Sequence, residues 1–283
     1  MSPSIRILKS RYLKNIKENP ELYIGIELEF PIVHTKGKPT DIEVAKDLMR
    51  FLVDALSLEV EKEDEDGNPI QLVEPASQDR ILFEVSYTTL EFAFGRAQKI
   101  QEVEGRFQAY MKVIQEKLSE KDHAIQGWGI HPNWDQNDNR PVAYPRYQML
   151  MDYLNMGSRQ EKDFQTHRSY QYQDLTTRGT IEFRSVCTQP LDRTFASAAF
   201  HLGLLVNLDK LETYLETAPF FENFGRDYKS LRRQFSKKQL TNEEKAGVIQ
   251  FSKDLLAIAE QGLESRGLRE MTYLEPLKEE MTL

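Results

Sequence analysis

From Tyr23 to Pro31 the sequence Y-I-G-I-E-L-E-F-P alternates, with Ile24, Ile26, Leu28 and Phe30 on one side and Glu27 and Glu29 on the other. This is the period of a β-strand with one buried face, and the spacing predicts a strand over about 22–33. A short helix over 10–19, ended by Pro20, is expected before it. After the turn T-K-G-K-P-T the period changes to that of a helix over 41–57, where Ile42, Ala45, Leu48, Met49, Leu52 and Leu56 form the apolar stripe and Asp41 is the N-cap. The runs L-E-V-E-K-E-D and I-Q-L-V-E flank E-D-G-N-P and read as a hairpin with an acidic turn. Residues 80–94, R-I-L-F-E-V-S-Y-T-T-L-E-F-A-F, read as strand broken near Ser86.

The alternation of elements continues through the chain. A helix over 95–120 carries Ile100, Val103, Phe107, Tyr110, Met111, Ile114 and Leu118 as its apolar stripe. A strand over 123–130 leads into the long polar loop H-P-N-W-D-Q-N-D-N-R-P-V-A-Y-P, of a length that in compact domains often carries function. Helical patterning resumes over 146–156, and two strands over 168–174 and 179–186 are joined by the turn T-T-R-G. Beyond Pro190 only helices are expected, over 191–215, 226–236 and 242–264, the last opened by a capping box of Thr241 and Glu244. Strands before residue 187 and helices after it define an α+β fold on a mainly antiparallel sheet.

Composition narrows the functional classes. With 283 residues, 40% hydrophobic and 10% aromatic, the chain has the material for a substantial core and is expected to form one globular unit. Its 45 acidic residues against 37 basic give a formal charge of −8, which argues against a nucleic-acid or anionic-membrane surface. No apolar run approaches the roughly 20 residues of a membrane span, and the N-terminus lacks the apolar core of a signal peptide, so a cytosolic protein is expected. Cys187 is the single cysteine, which excludes an intramolecular disulfide and a cysteine zinc cluster; in T-I-E-F-R-S-V-C it reads as a small buried thiol.

Four features carry candidate chemistry: Glu27 with Glu29, Glu84 with Glu91, His131 at the end of G-W-G-I-H, and Glu182 with Arg184 in T-I-E-F-R. A single glutamate on a strand face is ordinarily solvated or ion-paired, and that reading stays open for each. Gathered on one face, the same carboxylates would repel one another unless a cation neutralised them. Oxygen donors with one imidazole suit Mg²⁺ or Mn²⁺ better than zinc. Arg184, beside Glu182, would supply a fixed charge for a transferring phosphoryl group.

The motifs G-I-E-L-E-F, the acidic pair spaced by seven and ending in L-E-F, the G-x-H-P loop followed by Arg146-Tyr147, and G-T-I-E-F-R-S-V-C-T-Q-P-L resemble, in order, those of the glutamate–cysteine ligase family, especially its shorter bacterial carboxylate-amine ligase branch. The resemblance spans about 22–192. It implies a glutamine-synthetase-like curved antiparallel sheet and an ATP-dependent ligation in which a carboxylate, typically the γ-carboxylate of glutamate, is phosphorylated and then attacked by an amine. It also implies metal-ligand positions at Glu27, Glu29, Glu84, Glu91, His131 and Glu182, an ATP-phosphate contact at Arg184, and substrate contacts at Arg146 and Tyr147. Where the family has a longer middle segment with an H-x-H-V-type strand and helices around N-S-P, this chain has only about thirty residues and neither pattern. Arg168 or Arg178 could replace the contacts so lost, although each reads first as a surface charge. The missing helices could come from a partner subunit, or the substrate could be larger than cysteine, and a homo-oligomer stays open. Three readings follow: a ligase using ATP, Mg²⁺ or Mn²⁺ and small amino-acid or amine substrates; a non-catalytic nucleotide- or amino-acid-binding homologue acting as sensor or partner subunit; and a hydrolase using the same carboxylates without ATP.

Overall fold

The computed structural model describes residues 3–149, 173–175, 179–184 and 186–281. These fall into two compact units, Met1–Gln98 with Glu102–Thr194, and Lys99–Gln101 with Phe195–Leu283. The expected passage from strands to helices thus coincides with the unit boundary near residue 194.

The first unit is built on an open six-stranded antiparallel sheet. Its strands are β1 (Glu27–His34), β2 (Glu59–Glu63), β3 (Pro69–Val73), β4 (Arg80–Phe83), β5 (Thr89–Ala93) and β6 (His123–Ile125), in the order β2-β3-β4-β5-β1-β6. One face is apolar. Phe30, Phe83, Leu90 and Phe92 are buried there, and helix α3 (Ile100–Ser119) closes over them, with Phe107 stacked on Phe30 at 5.7 Å and edge-on to Phe92 at 5.5 Å. Helix α2 (Ile42–Ala55) packs on β3 through Leu48, Met49 and Leu52, and Asp41 caps it by accepting from Glu43 N. Just before β4 the buried Asp79 accepts from Gly95 N, Arg106 and Tyr110 Oη, so its charge is compensated inside the unit. A small second sheet pairs β7 (Gln173–Leu175) with β8 (Ile181–Phe183), Asp174 opposite Glu182.

The second unit is helical, with α4 (Ala196–Val206), α5 (Leu208–Thr217), α6 (Pro219–Phe224), α7 (Tyr228–Phe235), α8 (Asn242–Arg266) and α9 (Glu275–Glu280). Helices α4 and α8 cross through Gly203 and Gly262, where a Cβ on either would collide with the backbone of the other helix. Phe220 and Phe221 of α6 stack on and against Phe251 of α8 at 4.5 and 5.5 Å. The predicted capping box is present: Thr241 accepts from Glu244 N and the Glu244 carboxylate from Thr241 N. Glu270 is fully buried, paired to Arg266 at 2.5 Å and accepting from Ile100 N.

Several expectations shift. The first helix (α1, Pro3–Leu13) starts and ends earlier than 10–19, because no intrinsic stop precedes Leu13 and the chain turns well before Pro20. The strand at 123–130 is only three residues long, since β1 offers it partners only at Ile32, Val33 and His34. The helix at 191–215 is broken at Asn207, where the backbone leaves helical geometry (φ −108°, ψ 40°). Cys187 is exposed, not buried, because strand pairing ends at Phe183 and the chain beyond it leaves the sheet. The helix expected over 146–156 is helical over 145–149; its remainder, the T-T-R segment, Arg168 and Arg178 lie outside the described residues.

Candidate active site

The face of the first sheet opposite the phenylalanines is acidic, and the register explains why. Glu29 of β1 lies directly opposite Glu91 of β5, and Glu91 opposite Leu82 of β4. Ile32 N bonds Thr88 O, its direct partner. Alternation then makes Glu29 and Glu91 a non-hydrogen-bonded pair, the kind that brings facing Cα atoms to about 4.5 Å. Glu27, two residues before Glu29, and Glu84, two after Leu82, fall on the same face. Four carboxylates from three adjacent strands therefore share one surface, so these are not scattered ion pairs.

Their electrostatics record the crowding. Burial pushes the Glu91 carboxyl up to about 8, helped by the charges of Glu84, Glu27 and Glu29 and by a hydrogen bond with Glu84. Glu29 keeps open surface, yet desolvation and then the charges of Glu84 and Glu27 raise it too, while Arg184 pulls the other way. Arg184 reaches this group from the second sheet: it pairs with Glu182 at 2.5 Å and feels Glu27 and Glu29. Burial opposes the guanidinium's charge, but these carboxylates outweigh it. The segment after β8 is tied to the same strand by Thr188 Oγ1, which donates to Glu29 O at 2.6 Å. Sequence reasoning had no signal for that contact, because a threonine in an irregular segment has no period to read.

His131 is not brought into this group. Its Nδ1 accepts from Asn133 N at 3.1 Å, which assigns the proton to Nε2, 2.9 Å from Ile32 O and 3.1 Å from Thr40 Oγ1. Burial lowers its pKa, partly offset by the Ile32 bond, so the neutral ring pins the long loop to the backbone of β1. Arg146 is exposed. Tyr147, by contrast, is buried, its hydroxyl 2.9 Å from Phe83 O and 3.2 Å from Glu84 Oε2.

Among the described residues, no three His, Cys, Asp or Glu side chains stand arranged as a finished metal shell. The donor chemistry nonetheless fits a hard divalent cation: the gathered groups are all carboxylate oxygens, and burial together with its acidic neighbours pushes Glu91 up to about 8.

Residues 23–161, just under half of the chain, match the family model described as glutamate-cysteine ligase family 2 (GCS2). The match supports a likeness of this stretch to that ligase family. It contains Glu27, Glu29, Glu84, Glu91, His131, Arg146 and Tyr147, whereas Glu182 and Arg184 lie beyond its end. No curated protein matches the chain.

Proposed function

We propose that the protein is an ATP-dependent ligase that joins an amino-acid carboxylate, of γ-glutamyl type, to an amine through an acyl phosphate. The observation that carries this reading is the convergence of Glu27, Glu29, Glu84 and Glu91 on one sheet face inside the stretch that matches the ligase family. Carboxylate and triphosphate are both anions, so a face meant to hold them needs cations on it.

In this reading the four carboxylates, with Glu182, would hold Mg²⁺ or Mn²⁺, which would supply charge neutralisation and Lewis acidity. His131 would join them only by releasing Ile32 and Asn133. Arg184 faces the γ-phosphoryl group, as a guanidinium with five fixed donors can, and exchanges Glu182 for phosphate oxygens. A carboxylate oxygen of the substrate attacks the γ-phosphorus, the bond to the bridging oxygen breaks, and ADP leaves. The amine then attacks the acyl carbon, the C–O bond to phosphate breaks, and the nitrogen gives up a proton as the amide forms. Arg146, exposed and lying over the Tyr147 ring, is the proposed substrate contact.

Purified protein given ATP and Mg²⁺ with a panel of amino acids and amines is expected to release phosphate only when a carboxylate donor and an amine acceptor are both present. Release with neither present, or no release with any pair, overturns the proposal. Metal-dependent ATP binding without turnover would favour the sensor, a reading to which the short middle segment lends weight.

A further inference from the structure

Residues 141–147 are fastened to the end of β4 at three points. Val142 N donates to Val85 O at 2.7 Å, Ser86 forms a bridge with Pro141, and Tyr147 Oη contacts Phe83 O and Glu84 Oε2. The chain they hold is strained. Ser86 N donates to Glu84 O at 2.7 Å around Val85, whose φ is +62°, a tight turn in a left-handed region that β-branched residues avoid. Glu84 N in turn donates to Thr89 O. The Glu84 backbone is thus fixed on both sides, and its side chain is left to choose between solvent and Glu91.

Tyr147 makes that choice. The residue is 5% exposed, so the hydroxyl cannot swing away into solvent. The one phenol proton is shared between Phe83 O at 2.9 Å and Glu84 Oε2 at 3.2 Å, so the hydroxyl donates toward the Glu84 carboxylate while anchored on the backbone. We infer that Tyr147 is a positioning residue: its buried hydroxyl aims the Glu84 carboxylate at Glu91 and so shapes the acidic face, without touching substrate. Tyr147 influences a bound cation only through Glu84. The inference deepens the reading of that face as a cation site and rests on it for its functional meaning.

The test is Mn²⁺ binding to the full chain, measured for the unaltered protein, Tyr147→Phe, Glu84→Gln and the double variant. Loss of an outer partner of a metal ligand typically weakens affinity by about ten- to a hundredfold, and Tyr147→Phe is expected to do so. The double variant is expected to bind no more weakly than Glu84→Gln alone. Unchanged Mn²⁺ affinity in Tyr147→Phe, or a loss that adds in full to that of Glu84→Gln, overturns the inference, because a merely structural tyrosine would lower the melting temperature independently of Glu84. Should the unaltered chain bind no Mn²⁺, the cation-site reading fails by itself. Crystal structures of the unaltered chain and of Tyr147→Phe then decide the positioning claim: a Glu84 carboxylate turned away from Glu91 in the variant supports it, and an unmoved one overturns it. If Tyr147→Phe does not fold, the crystal structure of the unaltered chain alone decides, and a Glu84 carboxylate out of reach of the Tyr147 hydroxyl overturns the claim.

Discussion

Glu91 is the residue in which the sheet register has its largest chemical consequence. Its carboxyl rises from an ordinary 4.5 to about 8, so the folded protein holds this proton more tightly than the unfolded chain does. The sign follows directly: the associated stability is fully present below about pH 4.5 and is lost progressively as pH rises through 8. Glu29 acts in the same direction. Without divalent cations the melting temperature is therefore expected to fall between pH 5 and 9, and Glu91→Gln is expected to flatten that slope. A slope that rises, or one unchanged by the substitution, contradicts the placement of these groups. Added Mg²⁺ should release protons near neutral pH, since a ligand carboxylate must ionise. Glu27 tests function more than stability, because it stays exposed and no burial depends on its charge. Glu27→Gln is expected to reduce turnover by more than about a hundredfold, beyond the loss typical of an outer-shell partner, with a nearly unchanged melting temperature.

At the scale of elements, the α4–α8 crossing depends on two glycines. Gly203→Ala would force a Cβ into Ala259 O and is expected to cost about 1–3 kcal/mol, the usual range for overpacking, read as a lower denaturation midpoint. Thr241→Ala removes the cap of α8 and is expected to cost about 1 kcal/mol. Elements with a clean period could be read from the sequence. The apolar stripe of α2 with its Asp41 cap, the break between β4 and β5 at Ser86, and the Thr241 capping box all stand where local patterning puts them, since each depends on neighbours within one or two turns. The short β6, the break at Asn207 and the exposure of Cys187 could not be read, because each is fixed by what a distant segment offers. The carboxylate face lies between these cases. Alternation gave the faces of Glu27 and Glu29, but only the pairing of Glu29 with Glu91 shows that two strands turn their acids the same way. His131 illustrates the limit: its place after a glycine-rich strand end reads equally as ligand or as strut, and Ile32, Thr40 and Asn133 occupy both ring nitrogens.

For the molecule as a whole, the strand-rich unit contains every residue assigned to the proposed chemistry, and the helical unit carries its own aromatic and ion-paired core. Among the described residues no helix is long and apolar enough to cross a membrane. Ligase, sensor and hydrolase make the same use of an acidic face and differ in what happens to the oxygen of the substrate carboxylate. With the carboxylate labelled by ¹⁸O and with ATP, Mg²⁺ and an amine supplied, an acyl phosphate must carry one labelled oxygen into the phosphate it releases. Inorganic phosphate containing one ¹⁸O is expected, formed in step with amide and only when the amine is present. Phosphate without label, or labelled phosphate without amide, would contradict it.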